Sequence, residues 1–219
     1  MKILVIGANG QIGSQLVEKL QASDAHEALA MVRKKEQEER FLTQGISTVV
    51  ADLEDTIEEL AKAVKGVDAI VFAAGSGGKT AADKTILIDL NGAVKAMEAA
   101  KKAGVKRFVI VSAIGTQQWL EPHPSWLDQL APYYAAKFYA DEWLQQSGLD
   151  YTIVRPGALT NDAPTGKVEI AATLDQPAPI SRCDVADLIV ALVDQKQTIN
   201  KSFDVINGST KITAAIKNI

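Results

Sequence analysis

M-K-I-L-V-I-G-A-N-G-Q-I-G, residues 1–13, is an apolar run, Lys2 to Ile6, that stops abruptly in glycines at positions 7, 10 and 13. A helical pattern follows, with Ile12, Leu16, Val17 and Leu20 recurring at helix spacing. Each glycine has a distinct task in such a setting. Gly7 lets the chain leave a strand in a tight turn, Gly10 removes a side chain that would stand where a pyrophosphate lies, and Gly13 lets the helix pack close to the strand. Beyond them the helix start at Asn9, Gln11 and Ile12 offers unpaired amides and the positive end of its dipole to an anion. A strand, this turn and an amphipathic helix in sequence predict dinucleotide binding rather than a plain turn.

Outward from that stretch, apolar runs recur at Ile3–Ile6, Leu29–Val32, Thr48–Val50, Ala69–Phe72, Phe108–Val111, Tyr151–Val154 and Phe203–Ile206. Helical patterns separate them at 11–22, 36–43, 56–64, 82–103, 134–147 and 184–195, with a terminal turn near 212–217. Alternating strands and helices, the strands nearly continuous in apolar residues, predict an α/β fold: a doubly wound parallel sheet covered on both faces. The expected order is 3-2-1-4-5-6 with one more strand at an edge. Residues 1–219 read as one domain, with segments 157–183 and 208–219 forming a small substrate-side lobe.

Composition narrows the partners. A chain of 219 residues, 47% hydrophobic, supports a full core, and a net charge of −4 without a broad basic face disfavours nucleic acid and anionic membrane. The expected ligand is a small molecule, and the expected state is monomer or homodimer. Cys183 is the only cysteine, and His26 and His123 the only histidines, so neither a disulfide nor a metal cluster is expected. Residues 3–6 are too short for a signal-peptide core and no later run approaches membrane-spanning length, which predicts a cytoplasmic protein.

In such a sheet ligands bind at the carboxyl ends of the strands, so the site is read from the residues that follow each one. These are Gly7–Gly13, Arg33, Asp52 and Leu53, Ala73, Ala74 and Gly75, Ser112 and Ala113, and Pro156 and Gly157. NAD-binding versions place a carboxylate after the second strand, where it accepts from the ribose 2′-hydroxyl. Here that strand ends in Arg33, Lys34 and Lys35. A guanidinium suits a 2′-phosphate, which predicts NADP (NADPH) over NAD. The alternative is a solvated turn balanced by Glu36, Glu38 and Glu39.

Ser112 closes the fifth strand, and Tyr133-Tyr134-Ala135-Ala136-Lys137 opens the next helix after a long loop. Tyr133 and Lys137 lie one turn apart and share a helix face. An ammonium beside a phenol lowers its pKa and makes it a competent acid or base. The plainer alternative makes both tyrosines packing residues and Lys137 a solvated lysine. The loop 114–132, with Trp119, His123 and Trp126, reads as a substrate lid or as a cover over the core edge.

Taken together, G-A-N-G-Q-I-G, A-A-G at 73–75, V-S-A at 111–113, Y-Y-A-A-K and D-Y-T-I-V-R-P-G-A-L at 150–159 resemble the short-chain dehydrogenase/reductase superfamily. The chain is most similar to its small atypical members, the NAD(P)-dependent epimerase/dehydratase-like proteins. The resemblance implies Ser112 orienting a substrate oxygen, Tyr133 as acid/base and Lys137 holding the nicotinamide ribose. Where the family's tetrad has Asn, this chain has Asp89, a carboxylate expected to pair with Lys137 and blunt its pull on the tyrosine. Only about 60 residues follow R-P-G, too few for the lobe that holds a nucleotide sugar. The resemblance therefore implies an NADPH-dependent oxidoreductase acting on a small carbonyl, quinone or similar acceptor. The alternative is a non-catalytic NADP(H)-binding sensor of the NmrA-like kind.

Overall fold

A computed structural model describes residues 1–77 and 80–219. The first six apolar runs form β1 (Lys2–Ile6), β2 (Glu27–Val32), β3 (Ser47–Val50), β4 (Ala69–Phe72), β5 (Arg107–Val111) and β6 (Asp150–Pro156). Short strands β7 (Ala158–Thr160), β8 (Lys167–Ala171) and β9 (Pro179–Ser181) precede β10 (Lys201–Asn207) and β11 (Thr210–Lys211). The helices are α1 (Gln11–Gln21), α2 (Glu38–Leu42), α3 (Ile57–Ala63), α4 (Ala82–Thr85), α5 (Ala93–Ala103), α6 (Ala131–Gln146), α7 (Arg182–Leu192) and α8 (Ile212–Ala215).

The main sheet runs β3-β2-β1-β4-β5-β6-β10-β8-β11, a nine-stranded Rossmann-like sheet in a single domain. Its first seven strands are parallel. The far side corrects two expectations: β10 is an inner strand, and the sheet is mixed, because β8 pairs antiparallel with β10 and β11 antiparallel with β8. The reason lies in β8, K-V-E-I-A, which alternates exposed Lys167 and Glu169 with inward Val168 and Ile170. One face of such a strand meets water, so it suits the border of a sheet, and its lysine discourages pairing with a second molecule.

Both sheet faces carry an apolar layer. Leu16, Val17 and Leu20 of α1 meet Val185, Leu188 and Ile189 of α7 on one side. On the other lie Leu60 of α3, Met97 of α5 and Ala140 and Leu144 of α6. Full burial of one such leucine is worth roughly 1.5–3 kcal/mol, which fixes the helices against the strands. At the amino end of β5, buried Arg107 donates to the carbonyl oxygens of Val193 at 2.8 Å and Asp150 at 2.9 Å. It also reaches Thr152 Oγ1 at 2.8 Å and Thr198 Oγ1 at 2.9 Å. This guanidinium caps the carboxyl end of α7, and burial brings its pKa down to about 10.

The helix expected over 82–103 forms in three consecutive pieces, because a π-helical turn, Ile86–Gly92, joins α4 to α5. A π turn changes which residues face inward, and such turns recur at functional sites. Here it carries Asp89 into the interior, 1% exposed. Of the segments expected on the substrate side, 157–183 divides: β7 and β9 pair in a small second sheet, whereas β8 joins the border of the main sheet. Segment 208–219 instead follows β8 along the far edge and packs Ile212, Ala215 and Ile216 into the α7 side of the core.

Candidate active site

The carboxyl ends of the parallel strands open into a cleft of about 1420 Å³. A pocket for one drug-sized ligand measures roughly 300–1,000 Å³, so this cleft is larger than one such ligand needs. Its floor at one end is the glycine turn. Gly7 has φ +90°, and a Cβ there would lie 2.6 Å from the Ala74 nitrogen; a Cβ on Gly13 would lie 2.1 Å from the Gly7 oxygen. Both glycines are therefore required by backbone contact alone. Gly10 is exposed in extended conformation and caps α1 without a side chain, leaving the helix amides open to the cleft.

Most residues named from the sequence meet here. Asn9, Gly10, Gln11, Ile12, Arg33, Leu53, Ala73, Ala74 and Gly75 line this cleft, and so do Asp89, Ser112, Tyr133, Lys137, Pro156 and Gly157. Two stand apart. Gly13 lies buried beneath the turn, and Asp52 turns into its own loop, where its carboxylate accepts from the Glu54 amide at 3.0 Å. Cleft-lining Gln37, Glu54, Ser76 and Lys84 carried no motif by which the sequence would have shown them.

Arg33 is exposed at the end of β2, and among the described residues its guanidinium has no ion-pair partner. The amides of Arg33 and Lys34 both donate to Gln37 Oε1, at 3.0 and 3.1 Å. Glu38, one of the carboxylates available to balance it, instead accepts from Thr48 Oγ1 at 2.8 Å. An exposed cation at the cleft without a partner among the described residues is free to meet an anion.

Tyr133 and Lys137 share a face of α6, with the Lys137 ammonium 5.8 Å from the centre of the Tyr133 ring. The ammonium is buried, donates to the Val111 carbonyl at 3.1 Å and lies 3.4 Å from Asp89 Oδ1. Asp89 Oδ2 in turn accepts from the Ser76 amide at 2.9 Å. Burial is the largest influence on Lys137 and opposes its charge, yet Tyr133, Asp89 and Asp141 outweigh it and hold the pKa above that of an ordinary lysine. Tyr133 behaves differently from the expected lowering. Burial pushes its phenol up, and the pull of Lys137 is offset by the negative Asp89 and Asp141. The phenol is thus protonated in the free site and a weaker acid than an ordinary tyrosine.

Ser112 brings a contact the sequence did not foretell: its hydroxyl donates to Asp141 Oδ2 at 2.6 Å. Asp141 is one turn beyond Lys137 on the face of Tyr133, a spacing that in retrospect marks it. Burial pushes its carboxyl up to about 6, against the opposing influence of Ser112, Arg155, Lys137 and Thr116. Tyr134 lines the cleft with Tyr133, its ring edge-on to both Tyr133 and Trp126 at 5.4 and 5.6 Å. Trp126 forms cleft wall, whereas Trp119 stacks on His123 at 5.4 Å, so the loop's two indoles have different work.

A glycine turn under a helix start, opening into one cleft that also holds a serine, a tyrosine and a lysine, is the architecture of an NAD(P)-binding protein. Comparison with known proteins agrees: the model of the NAD(P)H-binding family matches residues 7–196, and the chain belongs to that family. It is 49% identical to the Bacillus subtilis protein named uncharacterized sugar epimerase YhfK, covering all of both chains. A solved Bacillus halodurans structure labelled an NAD-dependent epimerase/dehydratase is 44% identical, with TM-score 0.92 and both chains fully covered. Sanguinarine reductase of Eschscholzia californica is a more distant relative, 26% identical over 100% of this chain and 93% of its own. No helix among the described residues is long and apolar enough to cross a membrane.

Proposed function

We propose that the protein is an NADPH-dependent oxidoreductase that reduces a small carbonyl, quinone or similar acceptor. The observation that carries this reading is geometric: Tyr133 lines the cleft one helical turn from the buried Lys137, whose ammonium lies 5.8 Å from the centre of its ring. The amides after Gly10 would take the pyrophosphate, Arg33 the 2′-phosphate and Lys137 the nicotinamide ribose. When bound, the nicotinamide supplies hydride. Tyr133 gives its proton to the acceptor oxygen, Ser112 orients that oxygen, and Lys137 offsets the charge left on the phenol.

The sugar-epimerase names of relatives fit less well. The substrate-side wall is short, built from residues such as Leu159, Pro177, Ala178 and Pro179, and offers little to hold a nucleotide sugar. Sanguinarine reductase among the relatives supports reduction. The single cysteine and the net charge of −4 support a reducing cytoplasm and a small-molecule partner.

A second reading, an NADP(H)-binding sensor, is favoured by one observation: Ser112 and Lys137 are both engaged by carboxylates before any substrate arrives. Turnover separates the two. The protein is incubated with NADPH and a panel of carbonyls, quinones and flavins, and nicotinamide absorbance is followed. Tyr133→Phe is expected to keep NADPH affinity and to lose roughly 10²–10⁴ in rate. Turnover by Tyr133→Phe at the parent rate would remove Tyr133 from the mechanism, and no turnover with any acceptor would leave the sensor.

A further inference from the structure

Asp141 is a buried titratable group that the mechanism above does not use, and it holds the hydroxyl that the mechanism needs. Ser112 donates to Asp141 Oδ2 at 2.6 Å, and a hydroxyl has only one proton to give. With that proton turned inward, Ser112 presents only lone pairs to the cleft, which suits neither a carbonyl oxygen nor the negative charge that develops on it. The remaining oxygen, Asp141 Oδ1, is buried without a hydrogen-bond partner among the described residues. A carboxylate with one oxygen unsatisfied is costly to keep ionised away from water, whereas a protonated carboxyl tolerates it far better.

We propose that Asp141 is a positioning residue whose proton decides which way the Ser112 hydroxyl points. Ionised, the carboxylate accepts from Ser112 and draws its proton inward. Protonated by one proton from solvent, Asp141 donates from Oδ2 to Ser112 Oγ across the same separation, and the Ser112 proton turns to the cleft to meet the substrate oxygen. No other atom moves and no bond is broken apart from the O–H that Asp141 gains or gives up. The inference rests on the reductase reading, in which Ser112 must donate.

The surroundings of Asp141 make its charge finely balanced. Lys137 and Tyr133 face it from α6, and Arg155 approaches from β6 with its own partner, Asp204 of β10, at 2.8 Å. Thr116, from the turn after β5, reaches Asp141 Oδ2 at 3.2 Å but is shared with the Ala113 carbonyl at 2.9 Å. Asp89 acts at one remove, by pairing with Lys137. The cations thus each have another acceptor, which weakens their hold on Asp141. Burial then raises its carboxyl to about 6, within reach of physiological pH.

Two measurements test this. Carbon-13 NMR of the Asp141 carboxyl, assigned through Asp141→Asn, reads its titration with no substrate present. A midpoint near 6 that moves upward in Ser112→Ala is expected, because the variant removes a donor to the charged form. Titration in the ordinary carboxylate range, or a midpoint indifferent to Ser112→Ala, overturns the proposal. With an acceptor from the panel, kcat/KM should fall by up to about tenfold between pH 5 and pH 8, the effect of losing one hydrogen bond. Tyr133 stays protonated across that range and adds no limb of its own. Asp141→Asn, whose amide donates to Ser112 Oγ at every pH, should abolish the limb and keep the rate near the parent's low-pH level. The limb should persist in His123→Gln. A limb unchanged in Asp141→Asn overturns the proposal. Failure of every acceptor refutes the reductase reading, and the NMR titration still decides whether Asp141 and Ser112 exchange a proton's direction.

Discussion

Arg33→Ala is the most direct test of cofactor choice, because the structure separates its two possible effects. The guanidinium is exposed and makes no ion pair among the described residues, so removing it breaks nothing within the fold. The turn is held by the Arg33 and Lys34 amides on Gln37 Oε1, and these bonds survive the substitution. Folding stability should therefore change by no more than about 0.5 kcal/mol. A charge-assisted hydrogen bond to phosphate is worth roughly 1.5–3 kcal/mol, so NADPH should bind roughly ten- to 150-fold more weakly. NADH, which has no 2′-phosphate, should lose less than about twofold. Calorimetric titration of parent and variant with both cofactors measures all four affinities. Equal affinity of the parent for NADPH and NADH, or a parallel loss of both in the variant, would refute the assignment of Arg33 to the 2′-phosphate.

The glycines should separate in the same assay. Gly10 has an extended backbone, and a Cβ there meets only the Gly7 oxygen at 3.1 Å, so Gly10→Val should fold by circular dichroism yet lose NADPH binding. Gly13→Val, with its Cβ 2.1 Å from that oxygen, should destabilise the fold itself, seen as a lowered melting temperature. Arg107→Met should cost about 3–5 kcal/mol in urea unfolding, because the carbonyls at the end of α7 and Asp150 would stay buried without their donor. An Arg107→Met protein as stable as its parent would mean that water replaces the guanidinium there.

The site was partly legible from one dimension. Tyr133 and Lys137 announce themselves because four residues along a helix is one turn, a relation fixed by local geometry. By the same rule Asp141 lay on the face of Tyr133 and Lys137, but an aspartate four residues past a lysine reads as an ordinary surface ion pair until its burial is known. Asp89 was anticipated as a partner for Lys137, and the two lie 3.4 Å apart. The π turn that delivers Asp89 left no mark in the apolar pattern. Nor could the sequence show that Tyr134 reaches the cleft, because that depends on Trp126 packing edge-on to its ring from a separate loop.

What the sequence determined by itself are the features governed by neighbours in the chain: the parallel strands β1 to β6, the glycine turn with its helix, and the shared face of Tyr133 and Lys137. Periodicity and glycine placement encode these because each depends on backbone torsions over a few residues. Only the tertiary structure decided the rest. The bond from Ser112 to Asp141 spans 29 positions and the capping of α7 by Arg107 spans 86. The border formed by β8 and β11 depends on β10, which arrives some thirty residues after β8. Such contacts are fixed by which elements the sheet brings side by side, and the charge on a buried carboxyl is settled only by the donors and cations assembled around it.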